Sequence, residues 1–264
     1  RGLRVNPQMS FLDDERYDPC RPNSKLGVPL DLLLDVLQGE PHRLSGIEGI
    51  HVHSNCDSPD LGQTRATVDH LHANLGGLLQ RVRWVNLGGG YLFDEAESLQ
   101  PLCEAIHSLR SQYGLEVFIE PGAALVRAAG YIVSTVLDLF QSGSKEVAVL
   151  DTTVNHMPEV FEYGFEPDVL GHDEGARHEY LLAGCTCLAG DLFGLYRFDE
   201  PLEAGAKVVF YNAGAYTLPK AHTFNGVNLP TIYAVSESGN LVLKKRFTYA
   251  EYADRWGEDA AVSD

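Results

Sequence analysis

Residues 81–91 read RVRWVNLGGGY, from Arg81 to Tyr91. Val82, Trp84, Val85 and Leu87 give this stretch the apolar, β-branched character of a short strand, and three consecutive glycines follow at its C-terminal tip. Such a tip serves as a tight turn. It also serves as a nest in which backbone N–H groups converge on an anion, because nothing projects from the chain to keep a ligand away. The spacing is neither the GxGxxG of a dinucleotide fold nor a loop closed by Lys-Ser/Thr. Taken alone, the glycines leave both readings open.

Working outward on both sides, the grammar repeats. "IEGIHVHSN" reads as a strand and Thr64–Leu79 carries helical spacing. After the glycines, Ser98–Tyr113 is helical and closed by Gly114, and "LEVFIEPG" is a further strand. Upstream lie "LRVNP", a short strand, and a helix over Pro29–Leu37. Strand and helix alternating at this pitch imply parallel β/α units, either in an open sheet or as part of a (β/α)8 barrel. Beyond residue 126 the signals become short strands separated by turns: "AAGYIVSTVLDLF", "KEVAVLDTTV", "LLAGCTCLAGD", "AKVVFYNAGAY" and "LPTIYAVSESGNLVLKK". The expected fold class is α/β plus β, with residues 1–126 a partial β/α barrel and 127–264 a mostly antiparallel β domain. Four β/α units would leave a barrel with two open edges, so a preceding segment is expected, consistent with a first residue of Arg1.

Composition narrows the class. The 264 residues carry 37 acidic against 20 basic side chains, a net charge of −17, which repels nucleic acid and anionic membranes and draws in cations. No apolar run reaches the ~18 residues a bilayer span needs, so no membrane insertion is expected. Five scattered cysteines form neither a disulfide framework nor a zinc ribbon, which fits a reducing cytoplasm.

Chemistry-bearing residues sit at strand C-termini, where barrel enzymes assemble their sites. His51 and His53 alternate on one strand and so project to one face; a metal there would need further ligands on later strands, which offer glycines and one glutamate and no histidine, so a packed interior outweighs a metal. The strands that follow end in Gly88–Gly90 and in Glu120. A carboxylate closing an apolar strand calls for a cationic or protonated partner. In the second half, "GCTCLAGD" and "GAYTLPKAHTFNG" are loops that carry Cys187, Asp191, Tyr216, Phe224 and Asn225.

Together the ordered motifs resemble the fold-type III pyridoxal-phosphate decarboxylases, the alanine-racemase-like barrels. "HMPEVFEYGFEP", "GCTCLAGDLFG" and "FNGVNLP" are most similar to the carboxynorspermidine decarboxylase branch, while "GGG", "EPG", "GAYT" and "FNG" are shared more widely with ornithine and diaminopimelate decarboxylases. The resemblance implies pyridoxal 5′-phosphate as cofactor and no metal. His53 would stack on the pyridine ring, and Gly88, Gly89 and Gly90 would cradle the phosphate with the Tyr216 hydroxyl. Glu120 would pair with the ring nitrogen. Cys187 would return a proton to the carbanion left by CO₂, across a homodimer interface. Glu162 and Asp191 would anchor substrate amines and Phe224 would wall the pocket. The implied activity is decarboxylation of carboxynorspermidine or carboxyspermidine in polyamine biosynthesis, with a related diamino acid, or an inactive or split remnant, as alternatives.

Two departures accompany the resemblance. Ala123 stands where ornithine-type relatives have an arginine after "EPG". The family's Schiff-base lysine belongs to an early barrel strand, and none of Lys25, Lys145, Lys207, Lys220, Lys244 or Lys245 matches it. This stretch alone is therefore expected to be inactive.

Overall fold

The structure, a computed structural model, describes residues 1–257. The chain divides into two units, Arg1–Val126 and Arg127–Asp264.

In the first unit five parallel strands run in the order β2-β1-β3-β4-β5: β1 Gly2–Asn6, β2 Val28–Pro29, β3 Gly49–His51, β4 Trp84–Asn86 and β5 Glu116–Phe118. The connecting helices are α1 Leu30–Gly39, α2 Gly62–Leu79 and α3 Gln100–Tyr113, and α4 Ala123–Val126 closes the unit. Gly114 ends α3 in the left-handed region at φ 71°, returning its N–H to the Arg110 carbonyl at 3.0 Å.

Pleat alternation splits the residues of this sheet between two faces. One face sends Val5, Ile50, Val52, Val85 and Leu87 into the helices, where Leu33, Leu71, Leu75, Leu79 and Leu109 bury them. Each such side chain is worth roughly 1.5–3 kcal/mol of burial. The other face is set by the register that aligns Arg4 with His51, His51 with Asn86, and Asn86 with Phe118. One pleat earlier, Gly2, Gly49 and Trp84 are in register. A Cβ on either glycine would run into the indole, so the two glycines make room for Trp84, whose ring meets Phe118 edge-on at 6.2 Å. The ladder continues past the strand ends: Val52 N–H donates to Asn86, Leu87 to Phe118 and Glu120 to Gly88, at 2.8, 2.9 and 2.7 Å. His53, Gly88 and Glu120 thus stay in phase with His51, Asn86 and Phe118.

The second unit is built on five strands in the order β10-β6-β7-β8-β9: β6 Ile132–Ser142, β7 Lys145–Leu150, β8 His178–Ala183, β9 Leu192–Phe198 and β10 Lys207–Phe210. All neighbours are antiparallel except β7 and β8, which are parallel. A parallel pair needs a long crossover. Residues 151–177 supply it, with a 3-10 turn at Val154–His156 and the short helix α5 Pro158–Tyr163. Val136, Leu150, Tyr180, Leu182, Phe193 and Phe210 form the core. Then come α6 Thr217–Lys220, the hairpin of β11 Ile232–Val235 and β12 Leu241–Lys245, and α7 Tyr249–Asp254. The sequence stretch "LLAGCTCLAGD" is strand only as far as Ala183, because residues 184–191 leave the sheet as a loop. Strand β9 carries no clear period-2 signal in the sequence, and it adds a fifth strand to this sheet.

Candidate functional site

On the polar face of the first sheet the structure brings together His53, Gly88–Gly90 and Glu120. The Gly88–Gly90 turn is tight on every side. Gly88 and Gly90 adopt φ of 71° and 83°, and an added Cβ on Gly88 would meet the Val52 carbonyl at 2.6 Å and His53 Nδ1 at 2.7 Å. A Cβ on Gly89 would meet the Glu120 carbonyl, and one on Gly90 the Asn55 carbonyl. Only glycine satisfies both the dihedral and the space. Gly89 N–H donates to His53 Nδ1 at 3.1 Å and Gly88 N–H to Asn86 Oδ1 at 2.9 Å. Two of the three amides expected to face a phosphate therefore hold neighbouring side chains, and Gly90 is the glycine whose amide these contacts do not use.

The bond from Gly89 requires an unprotonated Nδ1 on His53. Burial pushes the His53 pKa down, reinforced by the positive charge of Arg4 and by His51. Burial also lowers His51, although Glu120 pulls the other way. Both rings are near parallel, 19° apart with centroids 6.5 Å apart. His51 Nε2 lies 3.7 Å from Glu120 Oε1, which accepts from Asn86 Nδ2 at 2.7 Å. Cys20, buried in the loop after β1, lies with Sγ 3.5 Å from the His53 carbonyl, and burial pushes its thiol up to about 12. Among the described residues no cluster of three or more His, Cys, Asp or Glu side chains suits a metal ion.

In the second unit, Cys187 is exposed on the 184–191 loop. Asp191, expected above to anchor a substrate amine, already has backbone and side-chain partners within its own unit. It is buried, with Oδ1 accepting from Val154 N–H at 2.8 Å and Oδ2 from Thr186 N–H and Oγ1 at 3.0 and 2.6 Å. Its carboxylate is spent holding the Cys187 loop to the Val154–His156 turn. That turn also carries the loop of Phe224. Asn155 Nδ2 donates to the Phe224 carbonyl at 3.2 Å, and His222 N–H donates to the Asn155 carbonyl at 3.0 Å. His156 Nε2 donates to the Asn228 carbonyl at 2.9 Å, so its Nδ1 accepts from Thr152 Oγ1 at 2.9 Å, and burial keeps this ring neutral. Asn155 and His156 are site-building residues that the sequence reading did not single out. Their partners lie about 70 residues away, and no local spacing marks them.

Glu162 is not a solitary carboxylate. With Glu159 it holds Lys220 Nζ, at 2.6 and 3.2 Å, and the same ammonium lies 5.0 Å from the centre of the Tyr163 ring. Burial opposes the charge on Lys220, but Glu162 and Glu159 hold its pKa above the ordinary value. Tyr216, which opens α6, sits in the left-handed region at φ 59°, as does Asn225 at φ 62°. The turn before Tyr216 is fixed by a close approach in which Gly130 and Gly214 leave no room for a Cβ between them, with Ala213 N–H donating to Gly130 at 2.9 Å. Phe224 and Tyr216 are exposed.

Residues 17–214 match the sequence model described as "Pyridoxal-dependent decarboxylase, C-terminal sheet domain". The chain belongs to this family. A carboxynorspermidine/carboxyspermidine decarboxylase of Herminiimonas arsenicoxydans is 33% identical over 96% of the chain and 67% of the relative. A carboxyaminopropylagmatine decarboxylase of Synechocystis sp. is 34% identical over 97% of the chain and 66% of the relative. Among solved structures, the carboxynorspermidine decarboxylase of Campylobacter jejuni, complexed with norspermidine, superposes with a TM-score of 0.82 at 29% identity, covering 96% of this chain and 68% of that one. Diaminopimelate decarboxylases are more distant, the Methanocaldococcus jannaschii enzyme at 25% identity. The chain spans about two thirds of the length of these relatives. The family's cofactor is pyridoxal phosphate, and the first unit fits it. The glycine turn admits close approach at its backbone, a neutral imidazole lies beside the turn, and a carboxylate is exposed on the same face.

Proposed function

We propose that this decarboxylase acts on a carboxylated polyamine of the carboxynorspermidine and carboxyspermidine class. The observation that carries the reading is the gathering of His53, the Gly88–Gly90 turn and Glu120 on one sheet face, in a chain a third identical to decarboxylases of such substrates. Pyridoxal phosphate, when bound, would supply the electron sink for the electron pair left on the substrate carbon as CO₂ departs. Glu120 would hold the proton on the ring nitrogen, a task that suits an exposed carboxylate with one strong donor already placed. His53, kept neutral and pinned by Gly89, would present its ring face to the pyridine without adding a competing positive charge. The backbone around Gly90 would receive the phosphate, and the Tyr216 hydroxyl stays a donor implied by the resemblance alone.

Cys187 would deliver the proton that replaces CO₂ on the substrate carbon. Its loop is held by Asp191, so the thiol is placed without the carboxylate touching substrate. Glu159 and Glu162 carry two negative charges against the one positive charge of Lys220, leaving the group net attractive to a substrate ammonium. Phe224 would form an apolar wall between amines. A homodimer is supported by apolar side chains exposed on the β11–β12 hairpin, including Val235 at 71% and Leu241 at 70%. Sedimentation at micromolar concentration checks it, with a monomer as the opposing result. The five free cysteines support a reducing, cytoplasmic setting.

The test is CO₂ release by the intact gene product with added pyridoxal phosphate. Carboxynorspermidine, carboxyspermidine, carboxyaminopropylagmatine and diaminopimelate are the substrates to compare. One of the carboxylated polyamines is expected to exceed diaminopimelate in kcat/KM. Cys187→Ala is expected to lower productive turnover by roughly 10²–10⁴-fold while leaving cofactor affinity unchanged. A cofactor-loaded protein inert on every carboxylated polyamine would overturn the proposal.

A further inference from the structure

Asn86 closes β4 on the polar face, and its single carboxamide makes two bonds of opposite sense. Nδ2 donates to Glu120 Oε1 at 2.7 Å, and Oδ1 accepts from Gly88 N–H at 2.9 Å. The orientation of the amide follows from these partners, since a carboxylate only accepts and a backbone N–H only donates. The backbone repeats the link, because Glu120 N–H donates to the Gly88 carbonyl at 2.7 Å. On this face Glu120 also meets the His51 ring at 3.7 Å, whose pKa burial pushes down. That contact is too long and too weak to set the carboxylate.

We infer that Asn86 is a positioning residue that couples the glycine turn to the Glu120 carboxylate, so that one amide sets both ends of the cofactor site. This deepens the reading above and rests on it only in taking Glu120 to face the ring nitrogen. The residue type is dictated by the two partners. Aspartate would keep the acceptor for Gly88 but bring a like charge against Glu120. Leucine would lose both bonds. An amide alone, at this size, supplies a donor and an acceptor together.

The link is tested by a double-mutant cycle in the intact gene product, using Asn86→Asp, Glu120→Gln and the pair. In the cofactor-free protein Asn86→Asp is expected to lower the urea midpoint. In the pair the bond reverses, with the introduced amide donating to the introduced carboxylate, and most of the loss is expected to be recovered. In the loaded protein, Asn86→Asp is expected to weaken pyridoxal phosphate by about tenfold, or ~1.4 kcal/mol. It should also raise the pH at which the bound cofactor's absorbance changes, since a second carboxylate favours the protonated ring. The pair restores a single carboxylate and should bring that pH back, which a merely structural role would not do. If Asn86→Asp does not fold, Asn86→Ala replaces it, with the same loss of cofactor affinity expected. Additive effects in the cofactor-free cycle overturn the coupling. A coupled cycle with wild-type cofactor affinity and an unmoved absorbance transition in Asn86→Asp overturns the role in the cofactor site. A wild-type protein that takes up no cofactor speaks against the proposed function instead, and the cofactor-free cycle still decides the coupling.

Discussion

Asp191 illustrates how much a buried charge depends on its donors. Two backbone N–H groups and one hydroxyl converge on its oxygens, and a Cβ on Gly184 would collide with the same carboxylate. Charge-assisted bonds of this kind are each worth about 1.5–3 kcal/mol, because the alternative is an unsatisfied group away from water. Asp191→Asn keeps the volume but turns one acceptor into a donor, which then faces an N–H or a hydroxyl. It is expected to cost about 2 kcal/mol, seen as a fall in Tm of roughly 4–8 °C. The Cys187 loop should loosen with it, read as faster alkylation of Cys187 by iodoacetamide. A variant with unchanged Tm and unchanged alkylation rate would return Asp191 to the role of an open substrate anchor. Nothing in "GCTCLAGD" distinguishes these roles, since the deciding partner, Val154, lies 37 residues away.

At the scale of elements, the glycines separate by their surroundings and not by their residue type. Gly90 lies at φ 83° with the Asn55 carbonyl where its Cβ would be, whereas Gly77 lies within α2 with nothing within 4 Å of its Cβ position. Gly90→Ala is expected to cost about 2 kcal/mol or more, about 1 from the dihedral and the rest from the collision, and to weaken pyridoxal phosphate. Gly77→Ala should instead stabilise by ~0.5–1 kcal/mol. Urea unfolding of the two variants checks the opposed signs. The strand–helix alternation of the first unit, and the glycines at a strand tip, were legible because short-range periodicity encodes both. Strand β9 was not. A register shift between Leu182 and Ala183, opposite its start, and Gly194 at φ 133° break the alternation, so its buried residues fall at Phe193, Tyr196 and Phe198 instead of every second position. Asn86 is not legible in the sequence for a related reason. Its significance lies in pairing with Glu120, 34 residues on, and only the register of β4 against β5 brings the two together.

At the scale of the whole molecule, four histidines among the described residues share one displacement. His51 and His53 in the first sheet, His72 between α2 and α3, and His156 beneath the Phe224 loop all have pKa values lowered, with burial the leading cause in each. Charged neighbours modify but do not reverse this: Arg4 and Glu120 around the first pair, Asp69 and Arg65 around His72, Asp191 and His222 around His156. A histidine whose folded pKa lies below its unfolded value near 6.5 is protonated more readily after unfolding. Between those two values the unfolded chain binds more protons, so stability rises with pH and is lost as pH falls from about 6.5 toward the folded pKa values. The carboxylates with lowered values, Asp14, Glu48, Glu179 and Glu251, act the same way but only below their own unfolded range near pH 4 to 4.5. The window from about pH 7 to 5 therefore belongs to the histidines. Urea midpoints are expected to be flat from about pH 8 to 7 and to fall progressively from about 6.5 to 5. His156→Gln should lower the midpoint at about pH 8, because the bond to Asn228 or to Thr152 is lost, yet flatten the fall below about 6.5, because one proton-binding difference is gone. A variant curve parallel to wild type through that window would remove His156 from the set that makes this protein acid-sensitive.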